Sequence, residues 1–251
     1  MSFFHPQTIL VLTGSNCSIL TEENYSLLNK QEKKRAAEFL FDQDRVQYVI
    51  CRTLLKQLLS LITKIPTHQI SIRESLNGKP YLNKSNIFFN LSHSANNVAI
   101  AVTDLGPIGI DIENKNKTFD YLKLSNLIFS ENEQEQFFDI HPHQRKEAFL
   151  NAWTRKEAFF KATGSGLSSP LKELEVPFIP NQKPVICKTA WDTHDRHEWF
   201  LTSFDFIKEC VGALAVKTQK RNPVVINYSL KDFYNYRKQI HHLNAIHHFS
   251  I

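Results

Sequence analysis

Apolar residues recur along this chain at two spacings, and each change of spacing marks a new element. Thr8–Thr13 is a short, leucine-rich and β-branched run that predicts an opening strand. A polar helical stretch follows. Glu32–Phe41 predicts one helix and Gln43 to about Thr63 a longer one, in which Val46, Val49, Ile50, Leu54, Leu55, Leu58 and Leu61 fall at helical spacing. Pro66 closes it, because proline lacks the N–H that a continuing helix needs. Ile70–Arg73 predicts a short strand, and Asn77-Gly78-Lys79-Pro80 a turn. Ile87–Leu91 and Val98–Thr103 predict strands, as does Ile108–Ile112 after the break at Gly106-Pro107.

The second half follows the same plan. Tyr121–Asp139 carries helical signals, with Ser130 and Glu133 spaced as a capping box. Gln144 to about Thr163 predicts a long helix whose apolar stripe is Ala148, Phe149, Ala152, Trp153, Ala158, Phe159 and Ala162, ended by Gly164-Ser165-Gly166. Strands are expected at Glu173–Phe178, Pro184–Lys188, Trp199–Phe206 and Cys210–Lys217. Val98–Thr103 resembles Val211–Val216, and each run follows a long helix and a few strands. The expected fold is therefore α+β, two related halves joined near Gly106, with boundaries at 1–105, 106–220 and a tail at 221–251. The tail carries His241-His242 and His247-His248. These pairs lack a supporting carboxylate or cysteine, so a peripheral helix is expected there.

Composition narrows the class. Of 251 residues, 42% are hydrophobic, with 19 Phe, 7 Tyr and 3 Trp, which is enough for a packed core and excludes a disordered or fibrous chain. Lys and Arg total 30 against 25 Asp and Glu, a net +5. That balance suits an anionic ligand or an acidic partner, and no dense basic tract argues for nucleic acid. Cys17, Cys51, Cys187 and Cys210 form no C-x-x-C pair, so neither a zinc site nor a disulfide scaffold is expected. Ile9–Leu12 has no basic segment before it, and no apolar run approaches the ~18 residues a membrane span needs. The expectation is a soluble cytoplasmic protein.

Three constellations could carry chemistry. In Gly109-Ile110-Asp111-Ile112-Glu113, strand alternation puts Asp111 and Glu113 on one face. Two like charges there suit a hard cation such as Mg²⁺, or else a solvated strand end entering Asn114–Lys117. In Trp153-Thr154-Arg155-Lys156-Glu157-Ala158-Phe159-Phe160-Lys161, Glu157 and Lys161 share a helix face, either as a surface ion pair or as a third carboxylate and a lysine aimed at a metal–phosphate centre. Asn90-Leu91-Ser92-His93-Ser94 reads as a loop after a strand, offering donors to an anion. No G-x-S-x-G elbow, dinucleotide fingerprint or Walker A sequence is present.

In order, Gly78-Lys79-Pro80, Asn90-x-Ser92-His93-Ser94, Gly109-Ile110-Asp111-x-Glu113 and Trp153-x-x-Lys156-Glu157-Ala158-x-x-Lys161 resemble the 4′-phosphopantetheinyl transferases of the surfactin-synthetase-activating type. The resemblance implies two α/β halves about a pseudo-twofold, in a monomer. It implies transfer of the phosphopantetheine arm of coenzyme A to a serine of an apo acyl or peptidyl carrier protein, releasing adenosine 3′,5′-bisphosphate. It implies Mg²⁺, or Mn²⁺, held by Asp111, Glu113 and Glu157, with Glu157 and Lys161 in catalysis. It further implies coenzyme A contacts from Arg45, Gly78, Lys79, Asn90, Ser92 and His93, so that Lys79→Ala or His93→Ala would mainly raise the KM for coenzyme A. Two other readings stay open. Asp111 with Glu113-Asn114-Lys115 also matches the carboxylate and E-x-K of Mg²⁺-dependent nucleases, and a non-catalytic coenzyme A or carrier-protein binding module would keep the same contacts.

Overall fold

The computed structural model describes residues 7–15, 22–166, 170–189 and 195–238. In the first half, β1 (Thr8–Ser15) is followed by α1 (Glu22–Ser26), α2 (Lys30–Ala37), α3 (Asp42–Thr63), the small hairpin β2 (Ile72–Glu74) and β3 (Pro80–Leu82), then β4 (Phe88–Ser94) and β5 (Asn97–Thr103). In the second, β6 (Ile108–Asn114) precedes α4 (Tyr121–Ile128), α5 (Glu131–Asp139), α6 (Pro142–Thr163), the short pair β7 (Leu174–Glu175) and β8 (Lys188–Thr189), β9 (Trp199–Phe204) and β10 (Cys210–Lys217). A last strand, β11 (Val224–Ser229), leads into a helix over 230–238.

The larger sheet has the order β11-β1-β5-β4 and the smaller β6-β10-β9. Alternation along β1 and β5 explains their burial on both faces. Leu10, Leu12, Val98, Ile100 and Val102 pack on Ile50, Leu54, Leu55 and Leu58 of α3. Ile9, Val11, Ala99 and Ala101 point the other way, onto Ile108, Ile110, Ile112, Leu214 and Val216 of the second sheet. The far side of that sheet is covered by α6, through Ala158, Phe159 and Ala162 against Ala213 and Ala215. The two sheets thus lie face to face between two long helices.

The halves correspond in detail. Each of α3 and α6 spans 22 residues, offset by 100 in number, and each ends in a left-handed cap, at Lys64 (φ 61°) and Gly164 (φ 76°). In each half a capping-box glutamate meets a fully buried lysine. Lys56 Nζ donates to Glu32 Oε2 (3.0 Å) and Leu27 O (2.7 Å); Lys156 Nζ donates to Glu133 Oε2 (2.5 Å), Ile128 O (2.7 Å) and Leu171 O (2.9 Å). Burial pushes the Glu133 carboxyl up and the Lys156 ammonium down, so each charge depends on the other. Lys156→Met is expected to cost about 3–5 kcal/mol of stability by leaving Glu133 buried and unpaired, with partial recovery in the double variant with Glu133→Gln. Denaturant midpoints measure this, and a loss below about 1 kcal/mol would remove the pair from a structural role.

Four expectations change. Asn90–Ser94 is not a loop but the body of β4, since its polar side chains alternate onto a neighbouring strand. The helix expected over Glu32–Phe41 runs Lys30–Ala37, opened by the Asn29/Glu32 capping box. The strands expected at Glu173–Phe178 and Pro184–Lys188 shrink to two residues each, β7 and β8. Prolines at 177, 180 and 184 donate no ladder hydrogen bonds, and the Val176 N–H goes to Glu133 Oε1 instead. Residues 221–238 are not merely a peripheral helix. β11 pairs in parallel with β1, Thr8 opposite Val224, and Leu230 and Phe233 enter the first-half core. The paired histidines at 241–242 and 247–248 lie outside the described residues.

Candidate active site

The site forms where β4 of the first half meets β6 of the second. The seam between them is made by side chains rather than by a backbone ladder. Asn90, Ser92 and Ser94 project from one face of β4 and accept the N–H groups of Ile110 (2.8 Å), Ile112 (3.3 Å) and Asn114 (3.0 Å). Ser92 and Ser94 then donate their hydroxyl hydrogens to Asp111 Oδ1 and Glu113 Oε2, each at 2.9 Å. One serine thus holds both a strand and the carboxylate that strand carries.

The odd positions of β6 face α6. Gly109 lies so close to that helix that a Cβ there would stand 2.0 Å from Ala158 O and 2.5 Å from Ala162 N. This approach brings Lys161 onto Asp111: its Nζ lies 2.6 Å from Oδ1, 3.2 Å from Ser92 Oγ and 3.3 Å from Ile110 O. Asp111 is 5% exposed, and its Oδ2 is buried with no hydrogen-bond partner. Burial raises the Asp111 pKa, opposed by Lys161 and Ser92. Burial first, then the Asp111 charge, raises that of Glu157. His93 is pushed down by burial and by Lys161, against the pull of Asp44 and Glu113. The pattern is a half-buried acidic cluster with the Lys161 ammonium against Asp111 and that of Lys117 3.5 Å from Glu113.

A cleft of about 660 Å³ unites Gly78, Lys79, Asn90, Ser92, His93, Asp111, Glu113, Glu157 and Lys161. Trp153, Phe160 and Leu171 give it apolar wall. A second cavity of about 450 Å³ adjoins it through Pro80, Asn90, Leu91 and His93 and runs along α3. Arg45 lines neither cavity; its guanidinium pairs with Asp42 at 3.1 Å. Arg52, two turns further on, does line the adjoining cavity, paired with Glu74 at 3.4 Å. The signal for it was the seven-residue step along one helix face. Lys115 of the E-x-K reading is exposed and outside the cleft, which removes the lysine a nuclease site would need beside Asp111.

Lys79 lines the cleft, yet its ammonium is committed elsewhere. It donates to Ala162 O (2.6 Å) and Ile108 O (3.1 Å), while Asn77 Nδ2 donates to Gly164 O (2.9 Å). The first-half turn therefore caps the C-terminus of the helix that carries Glu157 and Lys161, where the helix dipole favours a cation. Burial pulls Lys79 from the ordinary lysine value of 10.5 to about 8. Between those values the unfolded chain binds more protons than the folded one, so stability rises with pH across that window. Lys79→Met is expected to abolish that rise in pH-dependent melts. It should also lower the rate of any reaction at this cleft at saturating substrate, and not only raise KM as the sequence suggests. A variant with wild-type kcat would show that the cap does not position α6.

Among the described residues no three His, Cys, Asp or Glu side chains are gathered closely enough to hold a metal ion as they stand. The donor set nonetheless suits a hard divalent cation. Asp111 Oδ2 is an unsatisfied buried oxygen, and burial first, then neighbouring carboxylate charge, raises the pKa values of Asp111 and Glu157 against the pull of Lys161.

Residues 107–215 match the family described as 4'-phosphopantetheinyl transferase superfamily, and residues 20–104 match 4'-phosphopantetheinyl transferase, N-terminal. The 4'-phosphopantetheinyl transferase HetI of Nostoc sp. is 32% identical over 193 residues, covering 75% of this chain and 78% of that one. The 4'-phosphopantetheinyl transferase psf-1 of Bacillus pumilus is 39% identical over 140 residues, 55% of this chain and 58% of its own. Among solved structures, a holo-(acyl-carrier-protein) synthase from Bacillus anthracis in complex with CoA (3',5'-ADP) is similar over 45% of this chain and 95% of its own, at 26% identity and a TM-score of 0.36. No helix among the described residues is long and apolar enough to cross a membrane.

Proposed function

Because the chain belongs to the 4′-phosphopantetheinyl transferase superfamily, we propose that it transfers the phosphopantetheine arm of coenzyme A to a serine of an apo acyl or peptidyl carrier protein, as an enzyme of the surfactin-synthetase-activating type. The observation that carries the reading is the convergence of Asp111, Glu113, Glu157 and Lys161 on one cleft between the two halves, with an unsatisfied carboxylate oxygen at its floor. Both walls come from a single chain, so a monomer is sufficient.

In the proposed reaction the serine oxygen bonds to the phosphorus that bears pantetheine. The bond from that phosphorus to the bridging oxygen breaks, and adenosine 3′,5′-bisphosphate leaves with the electron pair. Glu157, or a water it holds, accepts the serine proton, a role its raised pKa favours. Lys161, held between Asp111 and Ser92, offers its ammonium to phosphate oxygen. Asp111, Glu113 and Glu157 would hold Mg²⁺ or Mn²⁺, which when bound supplies positive charge to the pyrophosphate. His93, at the junction of cleft and adjoining cavity, and Gly78 supply coenzyme A contacts. Asn90 and Ser92 act through the strand seam, and Lys79 through its cap on α6. Arg52 is better placed than Arg45 to add charge to the adjoining cavity.

Intact mass of an apo carrier protein, incubated with this protein, coenzyme A and Mg²⁺, tests the reading. A gain of one phosphopantetheinyl group, abolished by EDTA, is expected. Binding of coenzyme A with no mass gain on several diverse carriers would leave the non-catalytic binding module in its place.

A further inference from the structure

The duplication provides an internal comparison that isolates one unusual residue. The cavity along α3 has a counterpart of equal size, about 450 Å³, along α6 in the second half. With the helices offset by 100, Gln47, Cys51 and Leu55 of the first cavity correspond to Glu147, Asn151 and Arg155 of the second. The strand registers extend the match. Leu91 pairs with Ile100 as Ser203 pairs with Ala213, and Leu91 and Ser203 each line their cavity. One cavity is largely apolar at these positions and the other polar throughout.

Arg155 stands where the first half has Leu55, so this architecture does not require a cation there. It is 3% exposed, and no carboxylate among the described residues lies within ion-pair distance. Its Nε donates to Ser203 Oγ (3.0 Å), Nη1 to Pro177 O and Nη2 to Gln182 O (3.4 Å). These neutral acceptors use three of the five guanidinium donors, leaving two at a residue that lines the cavity. An arginine guanidinium carries its charge throughout the neutral range. A buried charge without a counter-charge is costly, and an incoming anion supplies one.

We propose that this second cavity is a binding site for a small phosphate monoester, seated on Arg155 and distinct from the catalytic cleft. Lys115 and Lys183 at the exposed rim add positive charge toward the same anion. Glu147 and Asp205, also on the rim, and Asn151 deeper in, offer acceptors to hydroxyl groups on the ester's organic part. The Arg155 clamp on the 177–182 segment holds the cavity wall.

Glycerol 3-phosphate titrated into the ¹⁵N-labelled chain tests this, with glycerol and sodium chloride at matched ionic strength as controls. Saturable shifts of the Arg155 Nε–H and the amides of residues 181–183 are expected with glycerol 3-phosphate alone. Arg155→Leu, which installs the first-half residue, should abolish them. Should that variant fail to fold, Lys115→Gln with Lys183→Gln leaves the clamp intact and should weaken binding about tenfold, as expected for two charge-assisted contacts. The proposal is overturned if Arg155 shows no saturable shift, if shifts are confined to cleft residues such as His93, or if the double lysine variant binds as the wild type does.

Discussion

Asp111→Asn is expected to slow phosphopantetheinyl transfer by about 10³-fold or more while leaving the unfolding midpoint at neutral pH unchanged or raised. The two halves of this result have one cause. Asp111 is buried, one of its oxygens has no partner, and burial holds its pKa above the ordinary aspartate value. A folded-state pKa above the unfolded one means that the carboxylate's contribution to stability is present at acid pH and lost as pH rises through the folded value. The fold therefore holds this charge at a cost set by burial and partly offset by Lys161 and Ser92. Asparagine keeps the shape and the Ser92 contact while removing that charge, so stability is retained as the charge needed by the reaction disappears. Chemical denaturation and carrier-protein mass gain, run on the same preparation, check both halves. Transfer at the wild-type rate would remove Asp111 from the reaction. A large drop in midpoint would make its role structural.

Most of the fold was legible because its signals are local and repeated. The helical stripe from Val46 to Leu61 and the alternating run Ile108–Ile112 each specify an element and its buried face without help from elsewhere. α3 and α6 emerge within two residues of their expected starts for that reason. What was not legible depends on partners distant in sequence. Nothing in Val224–Ser229 says that it will pair with β1 more than two hundred residues earlier. Val176 reads as strand until Glu133, from another element, takes its N–H.

The site divides in the same way. Asp111, Glu113, Glu157 and Lys161 sit at spacings that already place them on shared faces, and the cleft gathers them. Ser92 and Lys79 were visible as polar residues in motifs, but the direction of their bonding was not. Ser92 turns toward β6 because it lies on the same β4 face as Asn90 and Ser94, and Lys79 reaches α6 because the Asn77–Pro80 turn docks at Gly164. Ser94 was visible only as the last residue of the Asn90-x-Ser92-His93-Ser94 motif, since its role depends on Glu113 lying directly across the seam.

Gly109→Ala separates the structural from the chemical contribution, because it is expected to damage both. The substitution adds only a methyl group, yet its Cβ would fall 2.0 Å from Ala158 O and 2.5 Å from Ala162 N, both backbone atoms of α6. No side-chain rotation relieves that contact, so β6 and α6 must move apart. Overpacking of this kind costs about 1–3 kcal/mol, and contact with backbone places this case at the upper end. The displacement acts on the reaction as well. Asp111 and Glu113 ride on β6, whereas Glu157 and Lys161 ride on α6, so the shift opens the 2.6 Å contact between Lys161 and Asp111. A misplacement of about 1 Å between catalytic groups costs on the order of 10²-fold in rate. The expected signature is a lowered unfolding midpoint together with a lowered kcat in whatever fraction remains folded. That differs from Asp111→Asn, where rate falls and stability holds. If Gly109→Ala kept both wild-type stability and wild-type kcat, the close approach of β6 to α6 would not be what assembles the site.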